Sequence, residues 1–325
     1  MMKRIRTALC LILAAALLAG CAFLPSESEP EALAPADPLT GHPLEWPGQR
    51  PVAVTIENST ASATQWGISS ASVVLEALTE AGMATELCLV YPALAATPKV
   101  GPVAAGQDIY WRLLVGQQPL PVQRGGGQFD QNYLDYYSIR AVDALEAGRT
   151  AFDCGSEWSN APLWYTSGSA VSKVLDALSI SAVLTESRVT SAASAAAASA
   201  SSGSDAVLTV PALLPQEEDG KLPDATAPDA VNVRVCFDDN NATGFAYDPD
   251  SGLYRMLHAD GTPQLDANNG QQAGFDNLLV LFSASALRDD GRTYDFDLSM
   301  GGGVWLNGGH LWTIPCCSTT PTAAP

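Results

Sequence analysis

Histidine is scarce in this chain: only His42, His258 and His310 occur in 325 residues. They fall in three separate local contexts, so a serine or cysteine nucleophile would find no evident base. No Gly-x-Ser-x-Gly elbow is present. The stretch VGPVAAGQD, Val100 to Asp108, has two glycines spaced as in a phosphate loop. Such a loop needs Lys and Ser or Thr after the second glycine, to reach phosphates and hold Mg²⁺. Gln107 and Asp108 stand there instead, and Pro102 removes a backbone donor. A nucleotide site is therefore excluded, and no cofactor is implied.

Basic residues are few as well, 16 against 35 acidic, for a net charge of −19. Without Lys3, Arg4 and Arg6 the balance is 13 against 35, or −22. Such a surface repels nucleic acid and anionic headgroups, so no nucleic-acid partner is expected. After Cys10 and Cys21 the cysteines are Cys88, Cys154, Cys236, Cys316 and Cys317. Five is odd, the spacing shows no framework, and pairing is not assignable. Cys88 and Cys236 lie in apolar strand-like runs and read as small buried hydrophobes. Adjacent Cys316 and Cys317 lack a nearby His or a Cys-x-x-Cys, so no metal site is expected.

What is present begins at the amino terminus. Lys3, Arg4 and Arg6 precede an apolar core, Leu9 to Leu18. A bilayer span needs roughly twenty residues, so this run fits a secretory signal instead. It ends in Leu18-Ala19-Gly20-Cys21, a lipobox whose Cys21 thiol takes a diacylglycerol and becomes the new amino terminus. Acyl chains contribute about 0.8 kcal/mol per buried CH2, enough for two or three chains to hold a protein on a membrane. The expected location is the outer face of the cytoplasmic membrane.

The length suggests about two domains. Residues 1–21 are signal and lipobox, and 22–38 form a flexible Pro/Ala/Ser/Glu tether. Residues 39–185 alternate strand and helix and are expected to form an α/β domain. Its expected strands are Pro51–Ile56, Glu86–Tyr91 and Leu120–Gln123. Expected helices cover Ile68–Met83, Asp108–Val115, Asn132–Tyr137 and Ala170–Leu178. Residues 186–228 are a Ser/Ala/Pro-rich linker or insertion, because Ser and Ala alone build no core. Residues 229–315 read as a β-rich (α+β) C-terminal domain. Val231–Val235 is a strand, a hairpin turns at Asp248–Gly252, and Leu278–Phe282 is a buried strand. Residues 316–325 are an irregular tail.

These segments resemble the YerB-like lipoprotein family, whose function as a class is uncharacterised. The resemblance rests on Asp37-Pro38-Leu39-Thr40-Gly41, Arg50 to Val54 with Ile56 and Asn58, Gly67 to Glu80, and Lys99 to Val103. In the second domain it rests on Tyr254-Arg255, Asp260-Gly261, Asp266, Asn277 to Val280 and Asp290-Gly291-Arg292. It implies a two-domain, lipid-anchored, extracytoplasmic protein of Gram-positive envelopes, and no established reaction. It also implies arginines at positions 86, 104 and 107, and histidines at 123, 163 and 264. This chain has Glu86, Ala104, Gln107, Gln123, Leu163 and Gln264 instead. Such losses suggest an eroded polar site. The family pattern continues beyond Pro315 with more strands, so the CCSTTPTAAP tail reads as truncated or frameshifted, leaving a sheet edge unpaired.

The candidate ligand cleft comprises Glu76, Glu80, Gly101, Pro102, Gln107, Arg124, Gly125 and Asp266. Glu76 and Glu80, four apart on one helical face, could act as an acid pair or bind Ca²⁺; a solvated face or loop contacts is the simpler reading. Asp248-x-Asp250-x-Gly252 lacks the twelfth-position Glu of a calcium loop, with Ala259 there. Ser167 and Ser169 read as a turn and helix cap. Trp111, Tyr133, Tyr136, Tyr137, Trp158, Trp164 and Tyr165 read as core ahead of a saccharide or peptide groove. The leading expectation is a non-catalytic binding module with an envelope protein partner. The alternatives are a wall-directed hydrolase, which requires Glu76, Glu80 and Asp266 around one pocket, and a solute receptor, which requires two similar lobes.

Overall fold

The computed structural model describes residues 35–59, 64–154, 163–185, 210–214 and 226–314. The signal, lipobox Cys21, most of the tether, most of the linker, Trp158 and the tail lie outside the described residues. The α/β and β-rich assignments for the two halves hold, and strands predominate over helices.

The first half is a five-stranded sheet. Its strands are β1 (Val52–Glu57), β2 (Val73–Ala77), β3 (Glu86–Tyr91), β4 (Leu120–Gln123) and β5 (Val142–Asp143), in the order β2-β3-β1-β4-β5. β1 is antiparallel to β3 and parallel to β4, and β4 is parallel to β5. The β1 run VAVTI is buried on both faces, as a central strand in a covered sheet must be. On one face Val52, Val54 and Ile56 join Leu87, Leu89 and Tyr91. On the other, Ala53, Cys88 and Val90 pack on Tyr110, Trp111 and Leu114 of α1 (Asp108–Leu114). A second helix, α2 (Gln128–Tyr136), begins four residues before the expected start, with Gly127 at its N-cap.

Two expected helices are corrected. Ile68–Met83 is not a helix: Ile68–Ser70 forms a single 3-10 turn, and β2 follows. Val73, Leu75 and Ala77 pack on one cluster and Val74 on the other, the period of two that a strand demands. Hydrogen bonding to the buried β3 outweighs the helix preference of the alanines and leucines. Ala170–Leu178 is also largely irregular. Only Gly168–Val171 (α3 is Ala144–Ala147, so this is α4) is helical, with Ser167 as its cap. Ser172 donates to the Ser169 carbonyl at 2.9 Å, an alternative to the helical ladder. The apolar face nonetheless forms, since Val171, Val174, Leu175 and Leu178 are buried. One piece of the expected linker packs on the first half: Val210 is buried and the Leu213 N–H donates to the Pro38 carbonyl.

Two short strands, β6 (Asp153–Cys154) and β7 (Trp164–Tyr165), pair beside α4. The second half has one sheet of β8 (Asn232–Cys236), β9 (Ala242–Asp248), β10 (Leu253–Leu257) and β11 (Gly274–Phe275). The expected hairpin joins β9 to β10, with Gly252 at φ 73°. Cys236 is exposed, not buried, because β8 is an edge strand; Cys88 is buried as expected.

A second sheet consists of β12 (Asn277–Leu287), β13 (Tyr294–Asn307) and β14 (His310–Ile314). Its β12–β13 hairpin is a long arm. Leu278 and Leu306 anchor its root on Tyr254. The expected buried strand at Leu278–Phe282 is corrected: Leu281 and Phe282 are 54% and 59% exposed. They face Gly303 and Gly302, which carry no side chain to cover them.

The arm's tip returns to the first half. The Tyr294 N–H donates to Thr79, and the Ala81 N–H to Arg292, both at 2.9 Å. The Arg288 guanidinium grips both Asp108 oxygens at 2.8 and 2.7 Å, with both side chains nearly buried. Paired forks of this kind are the strong ion pairs. Arg288→Ala should cost about 2 kcal/mol by removing both short bonds to Asp108, whose remaining cation is Arg112 at 3.7 Å. Its signature is a lower melting temperature with faster amide exchange in the outer parts of β12 and β13, and little change around β9 and β10.

Candidate functional site at the carboxyl end of the sheet

Strands β1, β4 and β5 point the same way, so Glu57, Gln123 and Asp143 gather at one end of the sheet. Glu86, the first residue of antiparallel β3, pairs opposite Glu57 and joins them. In open α/β sheets this carboxyl end is the usual ligand position. Two glycine loops cross it. The Gly106 N–H donates to Gly125 at 2.8 Å and the Arg124 N–H to Ala104 at 2.8 Å. A side chain at Gly106 would overlap Gln123, and one at Gly126 would overlap Asp130. The close approach therefore requires glycine.

Side chains from these strands and loops interlock. Trp111 Nε1 donates to Asp130 Oδ1 at 2.6 Å, and Gln123 Nε2 donates to Asp130 Oδ2 at 3.0 Å. Asp143 Oδ1 accepts from the Gly125 and Leu145 N–H groups at 2.9 and 2.7 Å. Arg124 reaches Glu57 at 3.8 Å. Gln123 Oε1 and Arg124 Nε are buried without a hydrogen-bond partner. Thr79 and Gln107 both donate to the Glu86 carboxylate.

Desolvation dominates the electrostatics. Burial pushes Glu86 up to about 7, against the opposing bonds from Thr79 and Gln107. Burial likewise raises Asp130 to about 6, against Trp111 and Gln123. Glu57 is raised by burial, with Arg124 opposing. The site thus holds protons at mildly acidic pH, and hydrogen-bond donors or cations suit it better than anions.

The eight expected cleft residues do not converge as a set. Gln107, Arg124 and Gly125 lie at this end. Glu80 faces Arg292 at 2.6 Å, under the arm's tip, and its charge adds to the rise at Glu86. Gly101 and Pro102, joined by a cis peptide, run beside the end of β1: the Glu57 N–H donates to the Pro102 carbonyl at 2.9 Å. At φ +146°, a side chain on Gly101 would strike the Trp164 carbonyl.

Glu76 and Asp266 are structural ties. The expected Glu76–Glu80 pair on one helical face does not exist, since Glu76 is in strand β2. Its Oε1 accepts from Asn58 at 3.1 Å and from Thr85 and Thr243 at 2.7 Å each. Burial raises its pKa and those three bonds oppose the rise. Asp266 is fully buried and accepts from the Gly67 and Ser69 N–H groups at 3.0 Å and from the Ser69 hydroxyl at 2.7 Å. Burial opposes its ionisation, but those bonds and the Asn268 N–H prevail and hold its pKa below the usual value. Each of Glu76, Glu80 and Asp266 has its own donors.

The residues missed in the sequence are Glu57, Asp130 and Asp143, and Glu86 was marked only through the resemblance. Their signal was positional: Glu57 ends the VAVTI run, and Glu86 opens β3. The resemblance marked better than the motifs did. Glu86 and Gln107 bond to each other, and Ala104 and Gln123 lie in the crossing loops. Gln264 donates to Gln65, whose amide donates to the Glu57 carbonyl at 2.7 Å. Leu163 stands apart, before β7.

Two outcomes follow from these environments. A raised carboxylate keeps its proton in the folded state after the unfolded chain has lost it. Stability attributable to Glu86 therefore falls as pH rises from 4.5 to about 7. Glu86→Gln should raise the melting temperature at pH 8 and flatten its pH dependence between pH 6 and 7, leaving the Asp130 part of the slope below pH 6. Thermal melts from about pH 4 to about pH 8 read this directly. Asp266→Ala should cost about 3 kcal/mol in denaturant melts, because it orphans buried N–H donors.

Residues 39–181 match the family model described as "Protein of unknown function (DUF3048) N-terminal domain". Residues 232–315 match "Protein of unknown function (DUF3048) C-terminal domain". A protein of Bacillus subtilis (strain 168) described as "Putative lipoprotein YerB" is 25% identical over 270 residues, 82% of this chain and 72% of that one. The crystal structure of YerB protein from Bacillus subtilis aligns with a TM-score of 0.68, at 23% identity and over 86% of each chain. That likeness shows a shared fold. With both domain models matched in order along one chain, the protein belongs to the YerB-like family.

Proposed function

We propose that this protein is a lipid-anchored binding module on the outer face of the cytoplasmic membrane in a Gram-positive cell envelope. The lipobox at Cys21 supports the anchor, and the family likeness to a lipoprotein agrees with it. The module engages an envelope partner through the carboxyl end of its five-stranded sheet. The observation that carries this reading is the clustering of Glu86, Ala104, Gln107 and Gln123 around that end. These are four of the six positions at which the family resemblance implies an arginine or histidine that this chain lacks. Different side chains on retained loop glycines fit a site whose ligand preference has shifted while its backbone geometry has not.

A non-catalytic role is supported by how the acids are used. Asp130, Asp143, Glu76 and Asp266 are bonded to the protein's own donors. His42 is in the entry loop, His258 follows β10 and His310 opens β14, and none is among the groups that shift Glu86. A wall-directed hydrolase is the second reading, and Glu86 favours it, since an acid titrating near 7 suits proton transfer. A solute receptor fits less well, because the second half is β-rich and unlike the first.

Crosslinking and pulldown from intact membranes, with the wild-type chain and Cys21→Ala, test the proposal. The expected result is a specific envelope protein captured by the wild type, and a variant that leaves the membrane fraction and loses that partner. A wild type that captures no partner and releases wall fragments, with release abolished by Glu86→Gln, would replace binding with hydrolysis.

A further inference from the structure

A second site lies on the first half, beside β6, β7 and α4. It is a cleft of about 460 Å³ whose lining includes Lys99, Arg149 and Lys173. Three cations around one opening are unexpected in a chain with 35 acidic and 16 basic residues. Their state sets them apart further. Six described arginines face carboxylates. Arg50 and Arg234 donate to backbone carbonyls. Among the described residues, the Lys99, Arg149 and Lys173 side chains have neither kind of partner. Among the described residues one carboxylate, Asp153, shares the cleft wall, so the described lining is net positive by two. Like charges placed together without counter-charge repel one another, and an anion between them relieves that repulsion.

The cleft is also prepared for an anion of a particular kind. The Lys99 ammonium sits 3.7 Å from the centre of the Trp66 ring and 4.7 Å from that of Tyr165. Ring faces hold a cation in place without neutralising it, so its N–H donors remain available. Arg149 adds a planar fork suited to oxyanions. The half-exposed Tyr165 ring offers a flat surface to the carbon skeleton that would carry the anion.

We propose that this cleft binds a phosphate ester, with the phosphate held by Lys99, Arg149 and Lys173 and a sugar- or polyol-sized remainder resting on Tyr165. Phosphate carries about −1.5 to −2 charges at neutral pH and three strong acceptor oxygens, matching three unpartnered cations. The site is separate from the acidic end of the sheet, which would repel the same ligand.

Calorimetric titration of the full chain in detergent, with inorganic phosphate and with glycerol 3-phosphate, tests this. Sodium chloride at matched ionic strength is the control. The expected result is saturable binding of at least one phosphate species, beyond any chloride effect. Arg149→Gln with Lys173→Gln should weaken it at least tenfold, roughly the loss of two charge-assisted contacts. Arg140→Gln, which removes an exposed cation paired to Glu146, should leave binding unchanged. Tighter binding of the ester than of inorganic phosphate is expected, and equal binding would overturn the place given to the remainder on Tyr165. No saturation, a chloride response of equal size, or wild-type affinity in the double variant would overturn the proposal. All three cations are exposed, so the variants should melt as the wild type does.

Discussion

A buried carboxylate must find donors, and in this fold it finds them across the chain. Asp266 belongs to the second half, and its oxygens are filled by Gly67 and Ser69 of the first. Glu76 belongs to the first, and one of its three donors is Thr243 of the second. Asp108 opens a helix in the first half and is held by Arg288 from the arm. Burying a polar group is costly unless it is bonded, so each of these acids has its full set of partners only with both halves in place. The outcome is one compact unit from Ala36 onward in which two sequence domains share their polar ties.

The same arrangement shapes the candidate site. Thr79 donates its hydroxyl to Glu86, while its carbonyl accepts from Tyr294 at the arm's tip. The second half therefore helps to position and desolvate an acid in the first. Desolvation, not a neighbouring negative charge, is the largest influence on Glu86, Asp130 and Glu57. The glycine loops add to this, since Gly106 and Gly126 let backbone press against Gln123 and Asp130. The phosphate cleft follows the opposite rule. Its cations stay exposed and, among the described residues, without an acid partner, and Lys99 is held by two rings, so one domain carries two sites of opposite electrostatic character.

Strands β1, β3 and β4 were legible because each is a short run with apolar residues on both faces. The β9–β10 hairpin was legible from its Asp-Pro-Asp-Ser-Gly turn. Residues 73–77 were not, because VVLEA suits either state until a partner strand is present. The β12 segment Leu278–Phe282 looked buried by composition, yet Leu281 and Phe282 face glycines on a projecting arm. Cys236 was misread for a similar reason: edge position, not residue type, leaves it exposed. At the site, Gln107, Arg124 and Gly125 were placed near one another from their glycine context. Glu76 and Asp266 were not recognisable as ties between the halves, because the donors that cross, Thr243 and Gly67, lie 167 and 199 residues away.

By itself the sequence determined the acidic character, the alternation that makes the first half α/β, and the family. All of these reside in local order or in composition, which one chain segment carries whole. Only the tertiary structure decided which acids are ties and which are sites, and which cations remain without a counter-charge. Those properties depend on desolvation and on partners distant in sequence, such as the Lys99 ammonium between Trp66 and Tyr165. The VGPVAAGQD stretch illustrates both. Its residues excluded a nucleotide, while its contacts showed Gly101 against Trp164 and Tyr165 and Gln107 bonded to Glu86.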